Sequence, residues 1–266
     1  MFTKPSKNGF AANSSVPFDR RSVLHDADPC KGFAVATAPA DARQPRSAFT
    51  DAFGSAVDEL LVETAATPEQ ILEVQRLRYR VDCEERGFLE CSADGLERDC
   101  FDVHSRHVLV RSRFTGAMLG TVRVVLPTMG GAASLPMSGV CEDHVLSSIL
   151  DTRAGEISRF ALARDRPGVS PAAAALMRLC LMRGIVDISG RVGLTHWCAI
   201  MENSLLRLLR ATAIYFEAIG PAVEFHGRGQ PVVGAINTIL GRIRGERPDV
   251  WGYITGQGTL WSEACI

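Results

Sequence analysis

Three short polar interruptions in otherwise apolar segments carry the side chains of this chain that could do chemistry. Glu156-Ile157-Ser158-Arg159-Phe160 places a carboxylate and a guanidinium against a run, Ile157 to Ala163, that reads as a buried strand. Asp99-Cys100-Phe101-Asp102 and Gly120-Thr121-Val122-Arg123 do the same upstream. Unpaired charge in a core is costly, so these groups need partners or a wet cleft. Acids and arginines arriving on three separate segments point to one polar site. In a regular strand Glu156 and Arg159 face opposite ways. They reach a common cleft only through a β-bulge, so an irregular strand is expected at about 157–160. A bulge also releases a backbone N–H that can stabilise an oxyanion.

Alternation over Met118 to Leu126 puts Val122, Val124 and Leu126 on one face and Thr121, Arg123 and Val125 on the other. Arg123 is then either an edge arginine reaching water or a buried guanidinium whose fork suits carboxylates. Asp99 and Asp102, three apart, share one side of a helical turn with Phe101 turned to the core. They either form a solvated acidic loop or hold Arg78, Arg123 or a substrate ammonium. Ser170-Pro171 opens a helix whose free amides favour an anion, with Arg164 and Arg166 as further donors. Neither a Walker sequence nor a full G-x-G-x-x-G is present, so a nucleotide site is not supported. His104 and His107 lack an obvious third ligand, and no metal is expected. His196, with its neighbour Trp197, and Glu224 with His226 read as structural strand residues.

The elements that must position these groups alternate. Leu60 to Glu63 is a strand. Thr67 caps a helix that starts at Pro68, carries the apolar stripe Ile71, Val74, Leu77 and Val81, and ends near Gly87. His107 to Arg111 and Met118 to Leu126 form an antiparallel hairpin around Thr115-Gly116. A loop covers Pro127 to Pro136, and a short helix Cys141 to Leu150. Glu156 to Ala163 is a strand, Ala172 to about Ser189 a long helix, Thr195 to Ile200 a strand and Glu202 to Ala213 a helix. A strand broken at Gly220-Pro221 lies in Phe216 to Phe225. The remainder is a helix from Ile236 to Arg244 and a short segment from Val250 to Ile254. This order specifies an α/β (α+β) fold: a mixed central sheet with helices on both faces. The crossover helix after residue 163 should join parallel strands and leave a cleft at their ends.

Bulk properties narrow the function classes. At 266 residues and 46% hydrophobic the chain can bury a sizeable core, and its formal charge of −1 argues against a general nucleic-acid binder. No apolar run approaches the roughly 18 residues of a membrane span, and no secretory signal is apparent. A cytoplasmic protein with no transmembrane segment is expected. Residues 1–52 hold all three lysines, are rich in Ser, Ala, Pro and Asp, and read as a flexible tail before a single domain over 53–266. The eight cysteines show no C-x-x-C spacing and read as free thiols, with Cys180 and Cys198 in the core. Residues 82–102 hold eight acids against Arg86 and Arg98, whereas residues 152–210 hold nine arginines against four acids. These are either solvated faces or an acidic pocket wall and a basic surface for an acidic partner.

Taken together, Arg78 with Gly87-Phe88, Asp99-x-x-Asp102, Gly120-x-x-Arg123 with Pro127-Thr128, and Glu156-x-x-Arg159-Phe160 resemble the signature of acyl-homoserine lactone synthases. The stretches 83–88, 102–107 and 193–202, and Ile219-Gly220-Pro221 followed by Glu224-Phe225-His226-Gly227, are similar to the PEP-CTERM/exosortase-associated acyltransferases and to N-acyl amino acid synthases. The resemblance spans about residues 57–235. It implies a GNAT fold with a splayed parallel strand pair, and transfer of a fatty acyl group from acyl carrier protein to an amine. The amine is that of an amino acid, or alternatively of S-adenosylmethionine in an acyl-homoserine lactone synthase. A non-catalytic acyl-carrier or lipid-binding module is the further alternative. Glu156 would be the base beside Arg159. Arg78, Asp99, Asp102, Arg123 and Arg159 would shape the acceptor site, or Arg123 or Arg159 would bind an amino acid carboxylate in bidentate fashion. Phe160, Leu162 and Trp197 would be substrate-binding, with a backbone amide near Phe160 to Leu162 polarising the carbonyl. Arg164 and Arg166, with Arg178, would meet the carrier. No cofactor is implied beyond the acyl-phosphopantetheine thioester as co-substrate. In one departure from the family, Asp82 stands where it carries an aromatic residue. In another, Arg164-Asp165-Arg166-Pro167-Gly168 keeps a single glycine of the GNAT phosphate loop.

Overall fold

The structure, a computed structural model, describes residues 54–128, 134–147, 149, 152–166 and 168–261. The expected tail, residues 1–52, and half of the loop at 127–136 lie outside the described residues. An eight-stranded sheet organises the rest: β1 (Leu60–Thr64), β2 (Ser105–Ser112), β3 (Met118–Val125), β4 (Ala154–Leu162), β5 (His196–Met201), β6 (Glu217–Ala218), β7 (Val223–Glu224) and β8 (Arg228–Ala235). Its order is β1-β2-β3-β4-β5-β8-β6, with β7 also pairing β8. Every pairing is antiparallel except β4 with β5.

Helix α1 (Pro68–Arg78) starts as its sequence requires. Thr67 and Gln70 form a reciprocal capping box and Pro68 occupies the first turn. The helix then changes pitch into a π-helical segment, Tyr79–Glu85, in which Arg86 N donates to Val81 O at 3.1 Å. Gly87, at φ +62°, ends it. Val74, Leu77 and Val81 are buried and Ile71 is half-buried, so the expected stripe faces the sheet. After α2 (Asp143–Leu146), shorter than its sequence suggests, comes α3 (Pro171–Val192). Ser170 Oγ accepts from Ala173 N to cap it. Helices α4 (Asn203–Arg210), α5 (Ile236–Glu246) and α6 (Pro248–Ile254) complete the fold.

The main core lies between α3 and one sheet face. Val122, Val124, Leu176, Cys180, Ile185 and Trp197 are all buried in it. Thr121, Arg123 and Val125 point to the opposite face, as the alternation predicts. Helix α3 approaches β2 at Gly184, where a Cβ would meet Val108 Cγ1 at 2.2 Å. Gly184→Ala is therefore expected to destabilise the fold by about 1–3 kcal/mol through overpacking, read as a lower urea midpoint.

The C-terminal strand assignment requires correction. The long eighth strand is Arg228–Ala235, whereas Phe216 to Phe225 yields two two-residue strands. Pro231 with Gly229 and Gly234 masks the strand pattern of β8 in the sequence. Pro231 is tolerated because it sits opposite the break between β6 and β7, where a missing N–H costs no ladder bond to them.

Candidate active site

Strands β4 and β5 pair at only three positions: Ala154 with His196, Gly155 with Trp197, and Glu156 with Cys198. Beyond Glu156 they diverge, and β5 stays with β8. A cleft of about 250 Å³ opens in the gap, floored by Glu156 to Phe160 and walled by Ile200, Met201 and the segment from Asp82 to Leu89. It continues into a mostly apolar chamber of about 80 Å³ lined by Ile157, Phe160, Met182, Met201, Leu205 and Leu209, together with Ser158 and Arg159. A second hollow of about 510 Å³ lies across Arg159, against Glu97, Asp99, Phe101, Phe225 and His226.

The expected bulge is present. Thr121 pairs with Ala161 but Arg123 pairs with Ser158, so β4 holds one extra residue. Arg159 takes φ +51°, an uncommon left-handed conformation for a non-glycine residue. Ion pairs hold it there: Nε donates to Glu97 Oε1 at 3.0 Å and Nη2 to Asp99 Oδ2 at 3.2 Å.

Three arginines and three carboxylates converge. Arg123, fully buried, donates from Nη1 to Asp99 Oδ1 at 2.5 Å and Asp102 Oδ1 at 2.9 Å, and from Nε to Ser158 Oγ at 3.0 Å. Arg78, equally buried, holds Asp102 through Nη1 at 2.8 Å and Nη2 at 3.3 Å, and pairs with Glu97 through Nε. Asp99 and Asp102 also form a capping box on the 3-10 turn Cys100–His104. Desolvation would raise both aspartates. The hydrogen bonds and charges of Arg123 and Arg159 on Asp99, and of Arg78 and Arg123 on Asp102, outweigh it and hold both below the usual carboxylate range. Burial and the positive charge of Arg78 depress the enclosed His107 to about 4.

Glu156 stands apart from this exchange. It is buried at the cleft floor and accepts from Met137 N at 2.8 Å. Burial lifts its carboxyl to about 8, against the opposing pull of that N–H, Arg123 and Arg159. Internal acids engage Nε and Nη2 of Arg159 and Nη1 of Arg123, whereas Arg123 Nη2 is buried with no hydrogen-bond partner among the described residues. Trp197 lies in the core, donating from Nε1 to Ser189 Oγ at 2.8 Å, and does not line the cleft. Arg164 is exposed, 3.6 Å from Glu85, and Arg166 donates to Ala163 O. Neither reaches the cleft, whereas Arg178, Phe160 and Leu162 do. The main-chain N–H of Ser170, at the start of α3, is given to Glu59 Oε2 at 2.8 Å.

Glu97, which bridges Arg78 and Arg159, escaped sequence reasoning. It is one of the eight acids in residues 82–102, with no distinguishing spacing, and only Arg78 at the end of a buried helical face hints at a further partner. Asp82 and Arg86, on the cleft wall, were likewise not assigned to the site.

Residues 77–169 match the acetyltransferase (GNAT) domain family. No curated protein sequence matches this one. Among solved structures, FeeM, an N-acyl amino acid synthase from uncultured soil microbes, superposes with a TM-score of 0.51 at 13% identity, covering 69% of this chain and 94% of that one. TofI, in a ternary complex with an inhibitor and MTA, gives 0.53 at 20% identity over 70% and 96%. BjaI, a CoA-dependent acyl-homoserine lactone synthase with SAM and isopentyl-CoA, gives 0.51 at 20% identity over 74% and 99%. The chain therefore has the GNAT acyltransferase fold, in the arrangement seen in N-acyl amino acid and acyl-homoserine lactone synthases.

Proposed function

We propose that this protein is an N-acyltransferase that moves a fatty acyl group from acyl carrier protein to the amino group of an amino acid. The observation that carries the reading is the gap between β4 and β5. It joins a polar cleft, with a proton-accepting group at its floor, to a mostly apolar chamber. The phosphopantetheine thioester lies in the gap with its acyl chain in the chamber. The amine gives a proton to Glu156, directly or through water, and its nitrogen attacks the carbonyl carbon. A backbone amide of the bulge, near Phe160 to Leu162, polarises the carbonyl oxygen. The C–S bond breaks as the nitrogen passes its remaining excess proton to the departing sulfur, so an amide forms and the thiol leaves with the carrier. Arg78, Asp99, Asp102, Arg123 and Arg159 act as the frame of the acceptor side. The exposed Arg164 and the cleft-edge Arg178 face the acidic carrier.

The test is a single-turnover reaction of the full chain with acyl carrier thioester and mixed amino acids, read by mass spectrometry. N-acyl amino acids are expected. A lactone product formed only with S-adenosylmethionine would favour the acyl-homoserine lactone synthase reading, which the likeness to BjaI keeps open. Carrier binding without any product would make the chain a binding module.

Met182 closes the chamber from α3. Met182→Ala is expected to shift preference towards chains longer by about two carbons. Each newly accommodated methylene would raise kcat/KM about fourfold, from ~0.8 kcal/mol of burial, as read from competition between acyl donors.

A further inference from the structure

Asp82 and Arg86 occupy the cleft wall without a role in the network above. Asp82 lies in the π-helical segment, and its carbonyl accepts from both Phe88 N at 2.8 Å and Leu89 N at 3.3 Å, which pins its main chain. Its side chain is buried, at 6% exposure, yet Oδ2 has no hydrogen-bond partner among the described residues. Burying such an oxygen unpaired is costly, and each instance calls for an explanation. Oδ1 faces Arg86 Nη1 at 3.5 Å, long for a strong hydrogen bond. The Arg86 side chain is 41% exposed and lies 5.7 Å over the Phe88 ring. Both residues face the space that also touches Glu156.

The wall thus presents a carboxylate and a guanidinium side by side, each with unspent hydrogen-bonding capacity. That pattern complements a ligand carrying an ammonium and a carboxylate on the same carbon. The other cleft-lining arginines fit it less well. Arg159 is committed to Glu97 and Asp99, and among the described residues Arg178 and Arg228 are in no ion pair. Resting on the acyl-transfer reading and its amino acid acceptor, we propose that Asp82 and Arg86 are the acceptor-recognition pair. The acceptor's ammonium bonds Asp82 and its carboxylate bonds Arg86. The third ammonium proton is left for Glu156.

The test is equilibrium binding of the full chain, by calorimetry, to a mixture of the twenty proteinogenic amino acids. Each binder is then measured singly, as its methyl ester and as its N-acetyl derivative. Wild type should bind at least one free amino acid, with both blocked forms about tenfold or more weaker. Arg86→Gln should bring the free acid down to the affinity of the ester while leaving the ester unchanged. Asp82→Asn should weaken both by about tenfold. Should Asp82→Asn fail to fold, the half-exposed Arg86→Gln carries the test alone. No amino acid binding at millimolar concentrations, or unchanged ester discrimination in Arg86→Gln, overturns the proposal. Amino acid binding without any acylated product would overturn acyl transfer and leave the recognition pair standing. Acylation confined to amines lacking a carboxylate would do the reverse.

Discussion

Arg123→Met is expected to lower the unfolding free energy by about 3–5 kcal/mol, measured by urea denaturation near neutral pH. The guanidinium is fully buried and holds Asp99, Asp102 and Ser158 together. Removing it strands two carboxylates whose low proton affinity depends on it. Methionine fills most of the volume, so the loss reads the charge imbalance more than a cavity. The control is Arg164→Met at an exposed site, which should change stability by less than about 0.5 kcal/mol. A double-mutant cycle with Asp99→Asn should show clear non-additivity. A loss below about 1 kcal/mol for Arg123→Met would mean that the polar cluster does not brace the sheet. Raised proton affinity after the substitution would appear as a stability loss beginning at higher pH, since Asp99 and Asp102 stabilise above their unfolded pKa and lose that contribution on acidification.

Glu156→Gln is expected to cut kcat by about 10²–10⁴-fold while leaving donor binding intact. In the wild type kcat should rise with pH through about 8, as the floor carboxyl loses its proton. The variant should lack that rise, which separates Glu156 from the titration of the amine itself. Stability should move in the opposite sense. The carboxyl titrates near 4.5 when unfolded and about 8 when folded, so the folded state keeps a proton that the unfolded state has released. Its favourable contribution is complete below pH 4.5 and disappears as pH rises towards about 8. Glu156→Gln should therefore be more stable than wild type at about pH 8, by on the order of a few kcal/mol, and nearly equal at about pH 5. Unchanged acyl transfer would remove Glu156 as base, and a pH-independent loss of stability would make it a purely structural acceptor for Met137.

The sequence made the left and middle of the sheet legible because their signals are local. The cap at Thr67, the hairpin at Thr115-Gly116, the alternation around Arg123 and the Ser170-Pro171 helix start each depend on neighbours within a few residues. The bulge at Arg159 followed from one geometric demand, that Glu156 and Arg159 serve a common space. What stayed hidden depends on distant partners. Strand β8 holds a proline that only the break between β6 and β7 accommodates. Glu97 gains meaning only when Arg78 and Arg159 arrive from α1 and β4. Trp197 alternates onto the face that α3 covers, and strand periodicity does not say which face that is.

Met182 belongs to two populations at once: it is part of the main core and part of the chamber wall. Helix α3 therefore links substrate range to heat resistance. Trimming that side chain widens the range only by removing contacts that the core relies on. Leu205 is less enclosed, on the short α4, and its changes disturb fewer neighbours. A lineage drifting towards bulkier acyl groups would accumulate its substitutions on α4 and leave α3 almost untouched.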